Sequence, residues 1–207
     1  MHHWPRGVRR GSIALVGLLA LAACSKAGGR VPVDNRVAVV GDSITFLSTA
    51  DITAQLTGAG YDPDVVGRIG RSAAEVDDDV TSASRTQPAV ILFELGTNDV
   101  TRSDNGTGSA AEFERWMTRY IAEFPHSCMI ATTVSSHRPS TKMDRAAREI
   151  NAWLHDHFRH IVEWDSYEWS QRQNGIAIVE PDEVHPNAAG QAALGRLDLA
   201  AVKDCTG

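Results

Sequence analysis

Apolar residues of the chain follow two rhythms. Short runs of strand length, Val37–Val40, Asp64–Val66, Ala89–Phe93, Met129–Val134 and Ile161–Trp164, alternate with segments whose apolar positions recur at helical spacing. Phe113, Trp116, Met117, Tyr120, Ile121 and Phe124 share one helix face between the third and fourth runs, and Ile150, Leu154 and Phe158 do so after the fourth. An Ala-rich stretch, 188–202, predicts a last helix. Strands alternating with helices give parallel βαβ units with right-handed crossovers, so the expected fold class is α/β, a three-layer α/β/α sandwich. The aromatic stripe at 113–124 is packing for that sandwich. Reactive groups in such sheets collect beyond the C-terminal strand ends.

The 207 residues suffice for one domain. Its start is preceded by a leader: Arg6, Arg9 and Arg10, then an apolar run from Ser12 to Ala23. The run is too short for a permanent membrane helix and has the order of an export signal. Leu21-Ala22-Ala23-Cys24 resembles the lipobox of bacterial lipoproteins, in which the cysteine is lipidated and becomes the new N-terminus. The expected division is a signal peptide over 1–23, a lipidated Cys24 with a Gly- and Pro-containing tether to residue 35, and one folded domain over 36–207. The partner implied for the N-terminus is a membrane, reached through the lipid.

Loss of residues 1–23 removes three arginines and no acids, taking the formal net charge from -6 to -9 and making nucleic acid an improbable partner. Cys128 and Cys205 remain, and an even pair in an exported chain predicts a disulfide tying the C-terminus to a central strand. His155 and His157 point to different helix faces, and only His157 and His160 share one. A solvated face accounts for them, and no metal site is expected.

Three segments carry candidate chemistry. Gly41-Asp42-Ser43 follows the first strand and sets a hydroxyl where the chain turns into a helix, near N–H groups able to stabilise a developing oxyanion. Gly96-Thr97-Asn98-Asp99 follows the third strand, and Asn98 offers an uncharged side-chain donor. Pro181-Asp182-Glu183-Val184-His185-Pro186 precedes the last helix. There Asp182 can hold one imidazole nitrogen while the other faces a serine. Each segment alone would more often be an ordinary turn.

Together, in order and placement, the three resemble the SGNH hydrolase superfamily, the GDSL-type esterases. The resemblance implies a flavodoxin-like five-stranded sheet of order 2-1-3-4-5, with Ser43 as nucleophile, His185 as base, Asp182 as orienting acid and Asn98 in the oxyanion hole with the Ser43 N–H. The family's glycine donor falls in Gly67-Arg68-Ile69-Gly70-Arg71. Gly70 is favoured, with Gly67 open, because Ser72-Ala73-Ala74-Glu75 has the form of a capping box. The same box explains Ser72, which otherwise mimics a G-x-S-x-G elbow.

The implied reaction is hydrolysis of short-chain or acetyl esters, small or glycan-borne, through an acyl-enzyme and without a cofactor. An extracellular O-acyltransferase, a lipase of the same fold and a catalytically silent binding lipoprotein are the alternatives. Arg71, Arg102 and Arg138 follow the second, third and fourth strands, where they could meet an anionic substrate, although solvated loop charges are the plainer explanation.

Overall fold

A computed structural model describes residues 33–138 and 140–207. The leader, Cys24 and the tether as far as residue 32 lie outside the described residues. Five strands form one parallel sheet in the order β2-β1-β3-β4-β5, as the resemblance implied: β1 Val33–Gly41, β2 Asp62–Gly67, β3 Pro88–Glu94, β4 Cys128–Thr132 and β5 His160–Val162. The helices are α1 Ser43–Gly58, α2 Asp77–Thr86, α3 Thr97–Ser103, α4 Ala110–Glu123, α5 Thr141–His157, α6 Trp164–Gln173 and α7 Ala188–Thr206. β1 begins at Val33, three residues inside the expected tether.

The alternation of side chains along each strand divides the core in two. Ala38, Val40, Ile91, Phe93 and Ala131 face a layer holding Val80 of α2, Phe113, Met117 and Tyr120 of α4, and Ile150 and Leu154 of α5. Val37, Val39, Val90, Leu92 and Ile130 face Ile52 and Leu56 of α1 and Leu194 and Val202 of α7. The central strands are buried on both faces, which is why they carry unbroken apolar runs. Register aligns Gly41 with Gly67 on one side and with Glu94 on the other, so β1, β2 and β3 end at one level. That edge is the platform for the site.

Three local expectations shift. β5 stops at Val162, and Trp164 opens α6, its side chain packed into the α1–α7 core. A strand of three residues is too short to announce itself by periodicity. Phe158 keeps its place in the core but lies just past α5, in extended backbone with φ -116°. His160 is not on a solvated helix face: it begins β5, is half-buried, and its Nδ1 lies 2.8 Å from Asp204 Oδ2.

Cys128, at the start of β4, is disulfide-bonded to Cys205 in the last turn of α7, with Cα atoms 6.0 Å apart. His160 stands beside the two sulfurs. The bridge lies at the N-terminal edge of the sheet, opposite the site, and no described helix is long and apolar enough to cross a membrane. It links positions 77 apart, and closing a loop of that size in the unfolded chain corresponds to roughly 4 kcal/mol on the chain-entropy model. The double variant Cys128→Ser/Cys205→Ser should therefore lose about 2–4 kcal/mol in urea unfolding. An unchanged urea midpoint would show that α7 needs no covalent tie.

Candidate active site

Ser43 is the first residue of α1, immediately beyond the end of β1, and is buried. Asp42 caps the helix: its Oδ1 accepts from the Ile44 N–H at 2.9 Å, while its own N–H donates to the Glu94 carbonyl at 3.1 Å. The cap fixes the first turn to β3 and leaves the N-terminal end of the α1 dipole at the serine, where negative charge is favoured.

The partner comes from a hairpin-like excursion before α7. Val179 and Pro186 form an antiparallel bridge, and the Asn187 N–H donates to the Ile178 carbonyl at 3.0 Å. Within the tip, Asp182 Oδ1 accepts from the N–H groups of Val184 (2.9 Å) and His185 (3.0 Å), and Oδ2 lies 2.7 Å from His185 Nδ1. His185 Nε2 is 3.0 Å from Ser43 Oγ. With Nδ1–H donating to the carboxylate, Nε2 is the acceptor for the serine proton. Desolvation of Asp182 opposes ionisation, but the three hydrogen bonds and the nearby imidazole outweigh it and hold the carboxyl down at about 2. The three sequence-predicted residues thus meet in a hydrogen-bonded relay.

Asn98 lies in the first turn of α3, beside the same strand ends. Its side-chain N–H donates to the Arg71 carbonyl at 3.0 Å, which orients the amide, and a primary amide has a second N–H to give. The same helix clamps the loop after β2 at further points: Arg102 donates to the Gly70 carbonyl (3.0 Å) and to Ser72 Oγ (3.2 Å), and Asp99 accepts from the Ala73 N–H (3.0 Å). Gly70 has φ +72°, a left-handed conformation suited to glycine, whereas at Gly67 a side chain would collide with the backbone of Phe46. The capping box is present, with the Ser72 N–H donating to Glu75 at 2.9 Å, and Ser72 Oγ is engaged by Glu75 and Arg102. Among the described residues no histidine is hydrogen-bonded to it. Arg71 and Arg102 both reach Glu75 (3.4 and 2.7 Å), Arg71 staying exposed, and Arg138 is buried.

Sequence reasoning passed over a group of buried acids under the nucleophile. Glu94 Oε2 accepts from the Thr45 hydroxyl at 2.5 Å, and Asp198 of α7 faces Glu94. Among the described residues neither oxygen of Asp198 has a hydroxyl, amide or cation as hydrogen-bond partner, so it can bond to Glu94 only if one of the two is protonated. Burial pushes Asp42 up to about 6 and Glu94 and Asp99 up to about 7. Burial, reinforced by Glu94, raises Asp198 well above the ordinary range. One signal was legible: Asp198 stands four residues from both Leu194 and Val202, on the buried face of α7.

A doubly covered parallel sheet with a serine–histidine–carboxylate relay at its C-terminal edge is the arrangement of a serine hydrolase. Residues 39–193 match the GDSL-like lipase/acylhydrolase family, and the chain belongs to that family. No curated protein sequence matches it. The fold is similar to that of Axe2, an acetylxylan esterase from Geobacillus stearothermophilus, at 15% identity and TM-score 0.64 over 86% of this chain and 96% of that one. It is also similar to the acetyl xylan esterase AlAXEase, at 20% identity and TM-score 0.65 over 81% and 99%. LAE5, an α/β hydrolase from the metagenome of Lake Arreo, Spain, gives 18% identity and TM-score 0.65 over 85% and 98%.

The buried acids make stability fall with rising pH. Each binds its proton more tightly in the folded chain, so its contribution is complete below the unfolded range near 4 and is lost as pH climbs through 6 to 7. Asp182 acts in the opposite sense, but only as pH falls toward 2. Asp198→Asn keeps the shape and can donate to Glu94. It should flatten the decline between about pH 4 and pH 7 and raise the melting temperature at pH 8 by on the order of 5 °C. Superimposable melting profiles for the two proteins would assign the pH dependence elsewhere.

Proposed function

We propose that the protein is an exported, lipid-anchored serine esterase that hydrolyses small acyl esters, acetyl groups on glycans being the class that best fits. The observation that carries the proposal is the relay Asp182–His185–Ser43, with contacts of 2.7 and 3.0 Å. His185 removes the Ser43 proton as Oγ attacks the ester carbonyl, then returns it to the leaving alcohol, and an activated water releases the acyl group in the second half. Developing charge on the carbonyl oxygen would be met by the Ser43 and Gly70 N–H groups and the Asn98 amide. No step requires a metal or cofactor.

The preference for small acyl groups is supported by a hollow of about 20 Å³ lined by Ile44, Thr97 and Val184, the chain neighbours of Ser43, Asn98 and His185, and by Glu94, Thr133 and Arg138 among others. That is room for about one water or one methyl group. The glycan preference borrows from the acetylxylan esterases of the same fold. The membrane part rests on the leader and Cys24.

Ser43→Ala should abolish turnover of 4-nitrophenyl acetate and labelling by a fluorophosphonate while leaving the melting temperature close to that of the parent. Labelling that persists at another serine overturns the assignment. Asn98→Ala should lower kcat by on the order of 100- to 1,000-fold with KM little changed, because its N–H bonds most strongly to the charged intermediate. Full kcat with a lowered melting temperature would leave Asn98 a purely structural clamp on Arg71.

A further inference from the structure

We infer that Arg138 is a positioning residue for the catalytic loop, setting the backbone turn from which Asp182 and His185 project; the inference rests on the relay proposed above. Arg138 is a buried guanidinium in the segment after β4, only 9% exposed. Its Nε donates to the Ser135 carbonyl at 3.1 Å and its Nη1 to the Glu183 carbonyl at 2.9 Å, joining two loops 45 residues apart.

One end of this bridge is firmly held. The Val134 N–H and carbonyl bond to the side chain of Asn151 in α5, both at 2.8 Å. The Ser136 N–H and hydroxyl donate to Asp165 in α6 at 2.7 and 3.0 Å. The other end is a residue that needs holding. Glu183 has φ +57°, uncommon for a side-chain-bearing residue and costing on the order of 1 kcal/mol or more. That conformation turns the chain back so that Asp182 Oδ1 can accept from both following N–H groups. Three contacts oppose its relaxation: the Glu183 N–H to the Glu180 carbonyl (2.9 Å), the Glu183 carboxylate to Arg172 (2.6 Å) and the Glu183 carbonyl to Arg138. The Arg172 contact is between exposed side chains and weak by nature. Arg138 is the buried, charge-assisted one.

Desolvation weakens the guanidinium's hold on its proton, and the charges of Glu168, Asp42, Asp165 and Asp182 oppose that loss, Glu168 being itself buried. The two carbonyls are reached by two N–H groups of one rigid plane. A lysine ammonium keeps the charge but has no such fork.

Arg138→Lys should therefore lower kcat by about 10- to 100-fold with KM within about twofold, since displacement of the base by about 1 Å costs on that scale. Arg138→Ala should lose at least as much, and ethylguanidinium added to it should restore kcat in a saturable manner. In proton NMR, the downfield resonance of the Asp182–His185 hydrogen bond should broaden or vanish in the lysine variant and return on rescue. Full kcat per folded molecule in Arg138→Lys, with only a lowered melting temperature, overturns the inference, as does the absence of rescue with a normal downfield resonance. Should Ser43→Ala also keep full turnover, the failure lies with the proposed relay; with Ser43→Ala inactive, it lies with Arg138 alone.

Discussion

The contact between His185 Nε2 and Ser43 Oγ joins residues 142 positions apart, and the C-terminal edge of the sheet is organised around keeping it at 3.0 Å. Ser43 is held because Asp42 caps α1 and ties it to the end of β3, and His185 because Asp182 closes a turn on its own following amides. Both are backbone solutions. A hydrogen-bonded relay tolerates displacement of only a few tenths of an ångström, and backbone hydrogen bonds supply that tolerance better than a mobile side chain would.

The two halves of the site are fastened differently. The loop after β2 is clamped to α3 by Asn98, Asp99 and Arg102, whose contacts to Gly70, Arg71, Ser72 and Ala73 form a short ladder across the mouth. The loop before α7 is fastened from the opposite side, through Arg138 and a segment anchored on α5 and α6. Ser43, at the start of α1 just beyond β1, stands between these two regions. This division follows from sheet order: with β1 placed between β2 and β3, loops from both flanks can reach one serine.

Beneath the serine, the protein carries more buried carboxyl groups than its fold requires. Asp42 has an evident task as a helix cap, and Asp99 accepts from the Ala73 N–H. Glu94 and Asp198 lie where α1, α7 and β3 converge, and burial raises both above the ordinary carboxylate range. The pair meets α1 through the Thr45 hydroxyl, which donates to Glu94.

What the sequence determined alone was everything with a period or a local rule. Unbroken valine and isoleucine runs marked strands buried on both faces, apolar positions three and four apart marked α4 and α5, and the spacing of Asp182 and His185 within one turn let a carboxylate meet an imidazole. An even pair of cysteines was enough to suggest the bridge found between Cys128 and Cys205. The tertiary structure decided what has no local signature. His160 left the helix it was assigned to, because β5 is too short for periodicity to announce it. Asp198 turned inward on a face shared with Leu194 and Val202, where only the approach of α7 to Glu94 gives it a partner. Arg138 and Glu183, 45 residues apart, acquired meaning through a single hydrogen bond between loops. Local chain statistics report on neighbours within a turn or two. Contacts between loops are set by where the sheet delivers their ends, and that is known only once the strands have taken their order.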